Sequence, residues 1–203
     1  MKNIIILIFL IFSFQCFSQI LPSSHGVHHK KQSQSQSDYF DDSSKGNYIV
    51  ISGNSVTSSY AMPSHKWNSV YGSEGISSGI KEWEITVDSY FNSGVNTWEL
   101  IMGVAHERTN GNTYFPYSCR GYCYISEFGG KNTTNGICAS GSNYGDTYGA
   151  GDVIKIQLNM NNGQLVFFKN GTSQGVSHTL DTNKTWYLAI SIGNAGTSVS
   201  ITG

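Results

Sequence analysis

Beyond position 46 the sequence is organised by alternation. In Glu82-Trp83-Glu84-Ile85-Thr86-Val87-Asp88 the odd positions are apolar and the even positions polar, the signature of a strand with one buried and one wet face. Residues 152–159 repeat the pattern, with Ile154, Ile156 and Leu158 facing in and Lys155 and Gln157 facing out. Asn161-Asn162-Gly163 is a tight hairpin signal, because asparagine and glycine tolerate the left-handed backbone of such turns. It leads into residues 164–169, which are apolar on both faces and are therefore expected in the middle of a sheet. Asn170-Gly171 marks the next turn. Trp186, Leu188, Ile190 and Ile192 alternate again, and Val199 and Ile201 make a last short strand. No stretch sustains a 3.6-residue apolar period, so the pattern predicts an all-β domain of short antiparallel strands with little helix. A chain of roughly 155 residues is long enough to bury one such core.

The first 46 residues follow other rules. Lys2 supplies a positive start, Ile4 to Phe12 is an unbroken apolar run, and Cys16 and Ser18 set small residues three and one positions before a cleavage point. The run is shorter than the roughly 20 residues that span a bilayer. Residues 1–18 therefore read as a secretory signal peptide, leaving a secreted, extracellular protein with no membrane segment after cleavage. Residues 19–46 hold His25, His28, His29, Lys30, Lys31 and a Gln-Ser repeat, with almost no β-branched or aromatic content before Tyr39 and Phe40. Such a segment buries too little apolar surface to offset its ordering entropy, so a disordered polar leader is expected there. Short solvated histidine runs seldom form defined sites, and no metal is expected. The folded domain is then residues 47–203.

Charge narrows the partners. Charged residues make up 12% of the chain and the formal net charge is -1. No basic stripe exists to hold nucleic acid, and nothing points to a cofactor. Cleavage after Ser18 would remove Cys16 and leave Cys119, Cys123 and Cys138, enough for one bridge and one free thiol in an oxidising compartment. Cys123 and Cys138 flank a turn centred on Gly130-Lys131; symmetric pairing of its arms would set them within disulfide range. That pairing is preferred, and Cys119–Cys123 competes with it. The spacing lacks the paired Cys-x-x-Cys of a zinc site. Asn132, Asn170 and Asn183 each begin a glycosylation sequon.

Catalytic constellations are sparse. Glu82 and Glu84 share a strand face, yet a lone Glu-x-Glu is common on exposed strands and lacks the spacing of a glycosidase pair. Gly151-Asp152 has the composition of a turn, with the carboxylate accepting nearby amides. No nucleophile-elbow sequence occurs. Trp83, Trp98 and Trp186 sit in strands, where packing is the expected role, whereas Trp67 lies in a polar stretch and can stand exposed. Two loops carry aromatics among small residues, the composition of adaptable recognition loops. One is residues 109–117 with Tyr114, Phe115 and Tyr117; the other is residues 140–148 with Tyr144 and Tyr148. With Trp67 and the loop residues His106 and Arg108, these form the candidate binding set.

Five segments resemble one family. Residues 78–85, with Trp83, are similar to the "sGkyyWEv" strand of the SPRY (B30.2-like) domain, and residues 98–105 to its "W-x-iGva" strand. Residues 130–136 resemble "Gkkyhng", Tyr144-Gly145 with Gly151-Asp152-Val153-Ile154 resembles "yg…GDvIG", and residues 165–175 resemble "isFyvNG…G". Lys155 stands where the family has glycine, Asn159 where it has aspartate, and Tyr187-Leu188-Ala189 replaces a proline-containing approach to the penultimate strand. The resemblance implies a two-layer antiparallel β-sandwich of the concanavalin A-like jelly-roll kind. It also implies a non-catalytic module that binds a protein or peptide through edge loops. A lectin-like, carbohydrate-binding role is the alternative, since the same sandwich class hosts lectins and fold alone does not decide function.

Overall fold

The computed structural model describes residues 39–63, 66–91, 99–132 and 141–202. Among them the chain forms β1 (Ile49–Ser52), β2 (Ser55–Ser58), β3 (Asn68–Ile76), β4 (Ile80–Ser89), β5 (Leu100–Ala105), β6 (Gly121–Ile125), β7 (Gly130–Asn132), β8 (Gly141–Asn143), β9 (Val153–Asn159), β10 (Gln164–Lys169), β11 (Thr172–Thr179), β12 (Trp186–Ile192) and β13 (Ser198–Ile201). The helical elements described are two single 3-10 turns, Asp42–Ser44 and Tyr117–Cys119. One sheet has seven strands in the order β1-β2-β13-β4-β9-β10-β11, and the other six in the order β3-β12-β5-β6-β7-β8. All pairings are antiparallel. This is the expected two-layer jelly roll.

Alternation builds the core. Trp83 and Ile85 of β4 pair with Ile156 and Ile154 of β9, Val87 pairs with Val199 of β13, and all are buried together with Leu158. The opposing layer contributes Leu100, Met102 and Val104 of β5 and Leu188, Ile190 and Ile192 of β12, all at most 1% exposed. The turns obey the same local chemistry. Gly163 sits at φ +71° in the β9–β10 hairpin, and Asn170 and Gly171 take φ +49° and +80° in the next, backbone angles that glycine and asparagine adopt most readily.

A second apolar cluster lies on the opposite face of the six-stranded sheet. It contains Tyr71, Ile101, Ala105, Cys123, Ile125 and Ala189, at strand positions between the inward residues, together with Phe115 from a loop. The loop of residues 106–120 folds over this face. Ser191 holds it down by accepting the Phe115 N–H at 2.9 Å while its hydroxyl meets that of Ser69 at 2.6 Å. Ser69 Oγ in turn donates to the Thr113 carbonyl.

Three expectations are corrected. Residues 164–169 are not mid-sheet: β10 lies next to the edge strand β11, and the middle strand is the alternating β4. The second apolar face of β10 includes Phe168, whose ring lies 4.3 Å from Lys155 Nζ in a cation–π contact. The leader was expected to stay disordered to residue 46, yet Phe40 is 1% exposed within the main core and bridges Gly72. Asp41 N–H donates to the Tyr71 carbonyl, Ser73 N–H to that of Tyr39, and Gly46 N–H to that of Ser69, so residues 39–46 line the outer edge of β3. Residues 1–38 lie outside the described residues.

The third correction concerns the cysteines. Cys123 is a free thiol, fully buried in the second cluster. It therefore takes part neither in the Cys123–Cys138 bridge nor in the competing Cys119–Cys123 one. Cys138 falls outside the described residues.

Burial pushes the Cys123 thiol well above its ordinary range, and a thiol without thiolate character or access does not react. Cys123 is expected to escape alkylation in the native protein and to be labelled fully in denaturant, as read by peptide mass mapping. Ser191→Ala is expected to leave the buried Phe115 N–H unpaired and to lower stability by about 1–3 kcal/mol, measured by urea unfolding.

Candidate functional site

The sandwich opens into a cleft at one end, where the segment after β2, the end of β4 and the β12–β13 turn meet. Its volume is about 460 Å³, within the range of small-ligand and side-chain pockets. Tyr60 and Phe91 stand over it, 89% and 54% exposed, while Met62 and Asn194 form its buried floor. Ser89, Tyr90, Ala195 and Gly196 add to the walls, and among the described residues no lining side chain carries a formal charge.

Hydrogen bonds fix the floor. Ser58, buried at the end of β2, donates its hydroxyl to the Asn194 carbonyl at 2.7 Å and accepts the Thr197 N–H at 3.0 Å. Ser89 Oγ donates to the Gly196 carbonyl at 2.8 Å, and the Phe91 N–H donates to Thr197 Oγ1 at 3.2 Å. Gly196 sits at φ +80°, where a Cβ would also come 3.4 Å from the Tyr60 ring; glycine suits both demands. Tyr90 carries its hydroxyl to Ser126 Oγ at 3.0 Å. Burial first, then the carboxylates of Glu127 and Glu99, holds the Tyr90 phenol protonated far above its usual range. Burial and the neighbouring Glu99 likewise push the Glu127 carboxyl up. The cleft thus presents aromatic faces, hydroxyls and an amide on a braced backbone. That chemistry suits an uncharged, largely apolar group.

The predicted binding residues divide. Trp67, Tyr114 and Tyr117 come together on the outer side of the six-stranded sheet. Trp67 and Tyr114 have ring centroids 5.8 Å apart, and Tyr114 meets Tyr117 edge-on at 5.5 Å. Tyr117 is 54% exposed. Phe115, expected beside them as a contact residue, is instead core of the second cluster. Tyr148 is likewise buried, its hydroxyl donating to the Tyr124 carbonyl at 2.9 Å. Tyr144 is half-buried and anchors the β11 edge, donating to the Gly175 carbonyl at 2.6 Å. Arg108 pairs with Asp41 at 2.8 Å and stacks 4.5 Å over Tyr187. His106 packs edge-on against Trp186 at 5.3 Å. None of the last five lines the cleft.

The other candidates are placed as follows. Asn132 is buried, with its Oδ1 accepting the Cys123 N–H at 2.7 Å and its Nδ2 donating to the Gly121 carbonyl at 2.9 Å, so the folded chain offers no glycan acceptor there. Asn170 is exposed but donates to Asp152 Oδ1 at 2.8 Å. Asn183 is exposed and donates from its backbone N–H and its Nδ2 to Asp181 Oδ1, which caps the turn. Asp152 performs the turn role expected of it. Burial pushes its carboxyl up, but the Gly149 N–H, the Asn170 amide and Lys169 outweigh burial and hold it below the usual value. Trp83 and Trp186 are core; Trp98 lies outside the described residues. Glu82 points to solvent, and its bonds from Gln157 and Lys155 keep its carboxyl below the ordinary range, the opposite of what a general acid needs. Among the described residues no three metal-ligating side chains come together.

Sequence reasoning missed Tyr60, Met62, Tyr90 and Phe91. The available signal was position. Tyr60 comes two residues after the short strand β2, and Tyr90 and Phe91 directly follow the last alternating residues of β4. Large apolar side chains just past strand ends are where a sandwich shows its rim.

Comparison with known proteins supports the same frame. Among solved structures, the chain is similar to the SPRY domain of human HERC1, at 21% identity and a TM-score of 0.60, with 80% of this chain and 96% of that one covered. A second human SPRY domain matches at 18% identity and a TM-score of 0.60, covering 76% and 94%. The TRIM65 PSpry domain matches at 13% and 0.60, covering 81% and 91%. At these identities the likeness speaks for the fold alone. A comparison with curated proteins finds no match. The SPRY domain family model matches residues 81–203, more than half of the chain. With its two antiparallel sheets and the glycine and aspartate turns that join them, the chain belongs to the SPRY domain family.

Proposed function

We propose that this protein is a secreted, non-catalytic recognition module that holds a protein or peptide segment in the cleft beneath Tyr60 and Phe91. SPRY domains are typically protein-interaction modules. The observation that carries the reading to this site is the pairing of two exposed aromatic rings with an uncharged, hydrogen-bonded floor. Aromatic anchors in pockets of this kind contribute most of the affinity at protein interfaces, and a rigid floor spares the ordering entropy that a loose loop would lose. Secretion is supported by the charge, apolar run and small residues of positions 1–18.

Carbohydrate binding is the second reading. One observation favours it: Trp67, Tyr114 and Tyr117 form a continuous aromatic group with Tyr117 open to solvent, and exposed rings of this kind can stack on sugars. The two readings use different residues and are therefore separable.

Panning a random peptide display library on the purified mature protein is expected to enrich sequences sharing a large uncharged apolar residue. Their affinity should fall about tenfold or more in Tyr60→Ala and in Phe91→Ala, with unfolding midpoints unchanged. Peptides bound equally well by both variants would remove the cleft from the proposal. On a glycan array, saturable binding abolished by Tyr117→Ala but kept by Tyr60→Ala would move the function to the aromatic group. Amino-terminal sequencing of protein exported by its native host is expected to begin at Gln19.

A further inference from the structure

The two sheets meet along one lateral seam, where β11 of the seven-stranded sheet faces β7 and the residues after β8. His178 of β11 stands in this seam, 7% exposed. Its Nε2 is 2.7 Å from the Asn132 carbonyl oxygen of β7. A carbonyl only accepts, so Nε2 carries the proton and Nδ1 accepts from the adjacent Ser177 hydroxyl. The imidazole lies over the Tyr122 ring of β6, with centroids 4.6 Å apart and planes 33° apart. Three further contacts cross the same seam. Lys131 Nζ donates to the Ser177 carbonyl, Tyr144 OH to the Gly175 carbonyl, and the Asp146 N–H to Gln174 Oε1.

We propose that His178 is an acid-sensitive latch: while neutral it clamps β11 to the β7 edge of the opposite sheet, and its protonation frees β11 with the rest of the sandwich intact. The geometry favours local release. β11 is an edge strand, and its pairing with β10 is broken by two register shifts, between Leu165 and Val166 and between Val166 and Phe168. Four of its first five residues are exposed. It is thus held on its own sheet from one side, by β10, and the seam contacts hold it from the other.

The charge environment sets the direction. Lys131, from β7, is the charged group acting on the ring, and it disfavours a second cation there. Tyr122, from β6, is the titratable group stacked on it, and burial, with Asp181 adding to it, keeps that phenol protonated. Among the described residues no carboxylate acts on His178. Burial lowers the imidazole to about 4 against the bond to Asn132, which favours the cation, and Lys131 adds to the lowering. Protonation at Nδ1 also forces the Ser177 hydroxyl to turn away and stop donating. An opened β11 therefore binds a proton that the closed seam resists. Closure is complete above about pH 6.5 and weakens as pH falls toward 4.

Hydrogen exchange read by mass spectrometry on the full mature chain tests this, with rates corrected for intrinsic pH dependence. Between pH 7.5 and 4.5, protection in residues 172–179 is expected to fall about tenfold or more while residues 153–159 keep theirs. In His178→Gln, which stays neutral and can still donate to Asn132, the β11 protection should be independent of pH. Constant β11 protection in the native chain overturns the proposal, as does simultaneous loss in β9, which would mean global acid unfolding. Should His178→Gln fail to fold, NMR titration of the wild-type imidazole decides: a titration near 6.5 in the folded protein, without loss of β11 protection, also overturns it.

Discussion

Two sheets stacked face to face leave each strand one dry side and one wet side, and nearly every feature of this molecule follows from that constraint. A side chain pointing between the layers must be apolar and must fit its neighbours, because interior packing is as dense as an organic crystal. Trp83, Ile156, Met102 and Ile190 meet that demand from both layers. Polar groups inside are tolerated where a partner is fixed, as with Tyr148, whose hydroxyl reaches the carbonyls of Leu100 and Tyr124. The constraint also locates the site. With the interior filled, large side chains set where strands end, such as Tyr60 and Phe91, have no sheet to enter and stand exposed at the rim, where the proposed site lies.

The six-stranded sheet adds a second requirement. Its outer positions include Tyr71, Ile101, Ile125 and Ala189, too apolar for open water, and the chain meets this with the long loop between β5 and β6. Ser69 and Ser191 fasten that loop from two strands far apart in sequence. The arrangement resembles a third, irregular layer on one side only. The seven-stranded sheet keeps a solvated face, with Glu82, Lys155 and Gln157 bonded to one another across β4 and β9.

Much of the fold was legible because period two is a local property. Glu82 to Asp88, the Asn162-Gly163 hairpin and the run from Trp186 to Ile192 could be read from their own residues, and each is a strand or turn as expected. What escaped depends on contacts distant in sequence. An aromatic in a glycine-rich loop looks the same whether the loop stands free or curls back, so Phe115 and Tyr148 read as contact residues although one closes the outer cluster and the other fills the core. Cys123 looked available for pairing because nothing local reveals that a loop lies above it. The cleft was the least legible, being assembled from three segments separated by some thirty and then a hundred residues, each unremarkable on its own. Trp67, Tyr114 and Tyr117 were legible as loop aromatics but not as one contiguous group, in which Trp67 and Tyr114 are half-buried and Tyr117 stands exposed.

The segment that borders β3 has a bearing on how the molecule keeps to itself. A sheet whose last strand is bare offers unpaired amides and carbonyls to any passing chain, a route to domain swapping and fibrils. Tyr39, Asp41 and Gly46, with Gly111 beside them, occupy those groups along β3. A stretch whose composition suggests a disordered leader thus acts as a selvedge, finishing that one border of the fabric.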